Sequence, residues 1–453
     1  MLISINPFDG REWARHAVWT EDAIEGALAN AQAVFREWSA AGLQARLRPV
    51  TELATRLGAE RESLAALATR EMGKRLAEAR AEVDKCALLC RYVADEAPAI
   101  WADEPVATEA RRSYVHYEPL GPLLGIMPWN FPFWQVFRFA VPAVAAGNTV
   151  LVKHAPNVTA ISLEIERLFR QAGFPAHVFQ ALPVPVEAVG RIIADARIRG
   201  VSLTGSTRAG RAVAAQAGAH LKKCVLELGG SDPWIVLADA DVEAAAAAGV
   251  TARFQNAGQS CIAAKRFVIQ KEVYDRFLEG YLAGVGALVM GDPADARTTL
   301  APLARDDLRS ALAAQVEDAR QRGARLLAGG KVPSGPGYFY APTVLDGLDP
   351  AMRVSREEVF GPAALLFRVS NEEEALELAG ATAYGLGASL WSGDLGHAER
   401  LARTLPSGLS FVNSMVKSDP RLPFGGIRDS GVGRELGVAG LREFVNIRTV
   451  WIA

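Results

Sequence analysis

The apolar positions of residues 20–100 recur at helical spacing. In the first stretch Ile24, Leu28, Phe35 and Trp38 fall near one face. Thr20, followed by Glu21 and Asp22, has the character of an N-cap with an acidic first turn. The segments "RLRPVTELATRLGAERESLAALATREMG" and "RLAEARAEVDKCALLCRYVADEA" set charges between apolar positions, which predicts further helices with one solvent face. "ARRSYVHYEPLG" alternates and predicts an exposed pair of strands. From Leu123 the pattern changes. The apolar runs "LLGIM", "TVLVK", "HVFQAL", "GVSLTG" and "CVLELGG" are separated by helical stretches such as 158–172 and 186–194. That alternation predicts a doubly wound parallel sheet, with ligands outside the carboxyl ends of its strands. A second α/β region starts near Ser231, with strands at "WIVLAD", "RFVIQ" and "SLWSG" and helices at 272–289 and 306–322. The tail "EFVNIRTVWIA" reads as a strand with an open edge, which a second subunit can cover.

Composition narrows the class. The chain has 453 residues, 50% hydrophobic and 22% charged, which fits an ordinary globular protein of two or three domains. The net charge of −2 gives no reason to expect nucleic acid or an acidic membrane as partner. The N-terminal residues lack a secretory pattern, and no apolar stretch reaches the roughly 20 residues of a membrane span. The four cysteines, Cys86, Cys90, Cys224 and Cys261, are too sparse for a disulfide framework, so a reduced, cytoplasmic protein is expected. Cys86 and Cys90 stand at i, i+4 among Val83, Leu89 and Val93 with no His nearby. They read as core thiols, and no metal site is expected.

Several residues suggest chemistry. In "FQNAGQSCIAAKR", Cys261 is surrounded by Asn256, Gly258, Gln259 and Ser260 instead of core aliphatics. On a turn before a helix, backbone N–H groups lower a thiol pKa, which favours a nucleophile. Glu227 ends an apolar strand in "CVLELGGSDP", where it can serve as general base or as a salt-bridged strand end. Asn130 in "MPWNFPFW" can donate to an oxyanion or simply mark a turn. In "VSLTGSTRAGRAVA", Gly205, Ser206 and Gly210 lie between strand and helix, where a pyrophosphate can dock.

Taken in order, "PWNFP", "LVKHAP", "LTGSTRAG", "LELGG", "NAGQSC", "EEVFGP" and "PFGGIRDSGVGRELG" span nearly the whole chain and resemble the aldehyde dehydrogenase superfamily. "VKHAPN", "KSDPRLPFGGI" and the short length resemble its compact succinate-semialdehyde dehydrogenases. The resemblance implies a Rossmann-like cofactor domain (1–105 and 120–228), an α/β catalytic domain (229–432) and a small β arm for oligomerisation (106–119 and 433–453). It implies a homodimer or homotetramer.

The resemblance also assigns roles. Cys261 is the implied nucleophile, Asn130 with the Cys261 N–H the oxyanion site, and Glu227 the base that hydrolyses the thioester. Glu435 in "GRELG" matches either a proton-relay carboxylate or a structural ion pair. Lys153, Gly205, Ser206, Trp129, Glu358 and Phe360 match cofactor-binding positions. Pro156 stands where many NAD-preferring members carry Glu, which leans the cofactor toward NADP with NAD accepted. Arg138, eight residues past Asn130, matches the arginine that holds a substrate carboxylate. If both stood on one helix they would be about 12 Å apart along its axis. Ser418 matches a serine on the same carboxylate, while Gln255 stands where longer members have a second arginine. The implied reaction is oxidation of succinate semialdehyde, or a similar short ω-oxo carboxylate, to the diacid. The rivals are a broad-specificity aliphatic or aromatic aldehyde dehydrogenase and a catalytically silent protein on the same fold.

Overall fold

The computed structural model describes residues 1–453. Its first helix, Glu21–Ala40, starts where Thr20 accepts a hydrogen bond from the Ala23 N–H, and Glu21 and Asp22 complement the helix N-terminus. Ile24, Ala27, Leu28, Ala31 and Trp38 form its buried face. Three more helices follow, Leu43–Ala59, Arg61–Met72 and Leu76–Ile100. The last buries Val83, Cys86, Leu89, Cys90 and Val93, so both cysteines of the i, i+4 pair are core thiols.

The first large sheet has six strands in the order Gly431–Val432, Lys223–Glu227, Gly200–Thr204, Pro122–Met127, Thr149–His154, Phe179–Ala181. All neighbours are parallel except Gly431–Val432. Strand order reverses between Pro122–Met127 and Gly200–Thr204, which opens a crevice beyond their carboxyl ends. The second sheet runs Arg325–Ala328, Thr343–Asp346, Ala363–Val369, Ala264–Gln270, Asp232–Val236, Gly387–Trp391, Leu409–Val412. It is parallel except for Arg325–Ala328. Four of its strands were not anticipated from the sequence. Ala363–Val369 is a buried, almost continuous apolar run, and such a run carries no period to distinguish strand from helix. The terminal hairpin Leu2–Ile5 with Glu12–His16 was likewise missed.

Two expectations need correction. "ARRSYVHYEPLG" forms one strand, Arg112–Pro119, and not a pair. Its partner is the C-terminal strand Val445–Ile452 of the same chain, in register from Val445 opposite Pro119 to Ile452 opposite Arg112. The tail thus completes a three-stranded sheet within its own chain, and Val445–Ile452 keeps its other edge open. No helix is long and apolar enough to cross a membrane.

Candidate active site

Four chain segments meet above the crevice of the first sheet. Trp129 and Asn130 follow strand Pro122–Met127, and Gly205 and Ser206 follow Gly200–Thr204. Cys261 arrives from the second sheet, three residues before strand Ala264–Gln270, and Phe360 stands three residues before Ala363–Val369. The carboxyl ends of one sheet therefore face the amino ends of the other.

The cysteine loop has an unusual backbone. Asn256, Ala257 and Gly258 have φ of +53°, +53° and +71°, three left-handed residues in a row. A Cβ on Gly258 would lie 2.3 Å from the Gly361 carbonyl oxygen, so only glycine fits. Buried Arg253 holds this turn, donating to the carbonyls of Gly258 and Val359 at 3.2 Å each and also to Gly361. Lys265 Nζ donates to the carbonyls of Ser260 (3.0 Å) and Cys261 (2.6 Å) and lies 3.3 Å from Glu358 Oε1. Arg253 and Lys265 thus tie the cysteine to the Glu358–Phe360 segment. Sequence reading missed both, because a buried cation that serves backbone carbonyls leaves no periodic or spacing signal.

A strand follows Cys261, not a helix, so no helix N-terminus acts on the thiol. Burial pushes it up to about 12, with Glu227 and Glu358 adding to the rise and Lys265 and Arg138 opposing it. This corrects the expectation of a lowered thiol pKa; the proton must be taken by a base. Asn130 Nδ2 donates to the Gln259 carbonyl at 3.0 Å, and its Oδ1 accepts from Gln135 Nε2 at 3.1 Å. The amide is held on both sides, two residues from the cysteine, with a second N–H to spare. Asn130 precedes helix Trp134–Ala146, so it does not share a helix with Arg138.

Glu227 ends its strand as expected, but it packs toward Gly425 and is not among the residues lining the cavity beside Cys261. Both its oxygens are buried without a partner. Burial raises its carboxyl well above the usual range, opposed by Arg138 and reinforced by Glu435. Arg138 is buried and ion-paired with Glu435. Of the two readings of Glu435, the ion pair is the one its geometry presents. Phe424 covers the guanidinium with its ring centroid 4.4 Å away.

Arg138, Ser418, Gln255 and Cys261 line one cavity of about 230 Å³, together with Phe131, Trp134 and Phe424. The cavity thus has a thiol, apolar walls and polar groups. That is the arrangement expected for a small molecule with one reactive and one charged end.

The cofactor positions are distributed along the same crevice. Lys153 is buried near the end of strand Thr149–His154. Burial lowers its ammonium, against the opposing pull of Glu187. Ser206 caps helix Thr207–Ala219, accepting from the Ala209 N–H. A Cβ on Gly205 would meet only Leu203 Cδ2 at 3.7 Å, so space remains open at that turn. The Trp129 and Phe360 rings meet edge to face at 5.8 Å. Glu358 Oε1 accepts from the Gly230 N–H at 3.0 Å. A cation, an open helix N-terminus and an aromatic wall leading to a thiol fit a dinucleotide. Pro156 opens a 3-10 turn, Pro156–Val158, and carries no carboxylate.

The aldehyde dehydrogenase family profile matches residues 2–450. This chain belongs to the aldehyde dehydrogenase family. The enzyme is 47% identical over 449 residues to a succinate semialdehyde dehydrogenase, NAD(P)+, of Escherichia coli (strain K12), covering 99% of this chain and 97% of that protein. It is 46% identical to a probable succinate-semialdehyde dehydrogenase, NADP(+), of Synechocystis sp., with both chains fully covered. The crystal structure of succinic semialdehyde dehydrogenase from Streptococcus pyogenes in complex with NADP+ superposes on the whole enzyme with a TM-score of 0.98 at 36% identity, and both chains are fully covered. The expected α/β fold and family are thereby established.

Proposed function

We propose that the enzyme oxidises succinate semialdehyde, or a close ω-oxo carboxylate, to the dicarboxylic acid, using NADP or NAD. The observation that carries this reading is the single cavity that holds Cys261 together with Arg138 and Ser418. Cys261 gives up its thiol proton to water, and its Sγ attacks the aldehyde carbon; the C–S bond forms as the carbonyl π pair moves onto the oxygen, giving a thiohemiacetal. The second N–H of Asn130 and the Cys261 backbone N–H stabilise its oxyanion. The bound cofactor supplies one function, acceptance of the hydride, and the carbon is left as a thioester on Cys261. Lys153 and the Gly205–Ser206 turn hold its adenosine and phosphates; Trp129, Glu358 and Phe360 position its nicotinamide end. Glu227, swung from Gly425 toward the thioester, takes a proton from the water that hydrolyses it. Arg138 and Ser418 bind the far carboxylate.

The enzyme works in the cytoplasm as a homo-oligomer, with the three-stranded arm pairing against a second copy. The absence of a carboxylate at Pro156 supports NADP use with NAD accepted.

The test is a comparison of succinate semialdehyde with butanal, which has the same length and no charge. The wild type prefers succinate semialdehyde in kcat/KM by at least about tenfold. Arg138→Ala raises KM for succinate semialdehyde much more than for butanal. Equal effects on the two aldehydes would remove Arg138 from the carboxylate site, and equal wild-type kcat/KM would favour the broad-specificity reading.

A further inference from the structure

The cavity carries two buried or half-buried cations, and only one of them has an anion. Arg138 is neutralised by Glu435. The other cation is Lys85, on helix Leu76–Ile100, which lines the same cavity as Cys261 and Ser418. No carboxylate lies in ion-pair range of its Nζ; it donates to Ser418 Oγ at 2.5 Å and sits 4.3 Å from the Trp134 ring centroid. Withdrawing an ammonium from water without a counter-ion is unfavourable. Its presence here makes sense if a ligand brings the missing negative charge.

We propose that Lys85 is a substrate-binding residue that pairs directly with the far carboxylate of the ω-oxo acid, acting with Ser418. The assignment rests on the reading of the substrate as a carboxylate. Ser418 Oγ accepts from Lys85, so its own proton stays free to donate to the same carboxylate. The pair Arg138–Glu435 is neutral overall, whereas Lys85 contributes an uncompensated positive charge. Lys85 therefore supplies the charge preference, and Arg138 supplies hydrogen-bond geometry. Gln255, at the cavity wall, adds an amide but no charge.

The same geometry makes recognition pH-dependent. Burial lowers the Lys85 ammonium to about 8, and Arg138 adds to the fall. Glu82 and Cys86 on its own helix and Asp419 beside Ser418 oppose it. Glu78 on the same helix and Lys417 beside Ser418 also line the cavity. Lys85 is cationic on the acid side of about 8 and neutral above it. Preference for the charged substrate is therefore full at lower pH and falls as pH rises through that value. Because kcat/KM reports the free enzyme, this is the relevant ionisation.

The experiment measures kcat/KM for succinate semialdehyde and butanal across pH in the wild type, Lys85→Met and Lys85→Arg. The readout is the ratio of the two values, in which the ionisations of Cys261 and Glu227 cancel. In Lys85→Met the ratio falls about tenfold or more. Lys85→Arg restores most of it and removes its decline near pH 8. A wild-type ratio near one overturns the carboxylate reading and this assignment with it. A high wild-type ratio that Lys85→Met leaves unchanged overturns the Lys85 assignment alone. If Lys85→Met does not fold, the wild-type ratio decides: a flat profile through pH 8 overturns the proposal.

Discussion

At the scale of single residues, the site works against the intrinsic chemistry of its main groups. The Cys261 thiol is pushed up to about 12, and the Glu227 carboxyl is raised by the same cause, burial. Burial disfavours the charged form of both groups, so each step depends on where substrate and protons sit. Glu227 is proposed to act on the water of the second step. Glu227→Gln is therefore expected to keep a burst of one reduced cofactor per site while steady-state turnover falls by about 10²-fold or more. Rapid-mixing absorbance separates the two phases; unchanged steady-state turnover would remove Glu227 from hydrolysis. The motif residues were legible in the sequence because they flank glycines and strand ends. Lys85 was not, since "EVDKCALLC" reads as a surface lysine on an amphipathic helix. Its half-buried position became visible only when residue 418 was placed beside it.

At the scale of elements, one glutamate orders two parts of the site. Glu82 is buried on helix Leu76–Ile100, and its Oε1 accepts from the Phe133 and Trp134 N–H groups at 2.8 and 2.9 Å. It thereby caps helix Trp134–Ala146, which carries Arg138, from a neighbouring helix. Its other oxygen is paired with buried Lys74, which covers the Phe131 ring at 3.9 Å. Lys85 lies three residues further along the helix of Glu82. The cap therefore fixes the spacing between Arg138 and Lys85. Glu82→Ala leaves Lys74 buried without its anion and the helix start without an acceptor. An effective loss of about 3–5 kcal/mol is expected, read as an earlier denaturant midpoint. A shift below about 1 kcal/mol would show that water reaches Lys74 in the variant. The first helix, by contrast, was legible to its cap, because Thr20 and the residues it serves are adjacent in sequence.

At the scale of the whole molecule, the two sheets oppose carboxyl ends to amino ends, and the arm stands apart from both. Val445–Ile452 presents Ile447, Trp451 and Ile452 as exposed apolar side chains on a strand with an open edge. An edge of that kind invites pairing with a second copy. Replacing Ile447 and Trp451 together by Glu is expected to shift the enzyme to smaller species in sedimentation or light scattering. An unchanged mass would place the subunit interface elsewhere.

The local rules were enough for the family and for the strand–helix alternation of the first sheet. Each of these depends on residues close in sequence or on a run of ordered motifs. The buried strand Ala363–Val369, the pairing of the tail with Arg112–Pro119, the raised thiol and the Arg138–Glu435 pair were settled only by the fold. They depend on partners as much as some 340 positions apart, as Ile452 is from Arg112. Burial and charge proximity set the rest, and both are properties of the packed chain. That is why a lysine unremarkable in the sequence becomes, once packed, a half-buried cation of the cavity left without an anion.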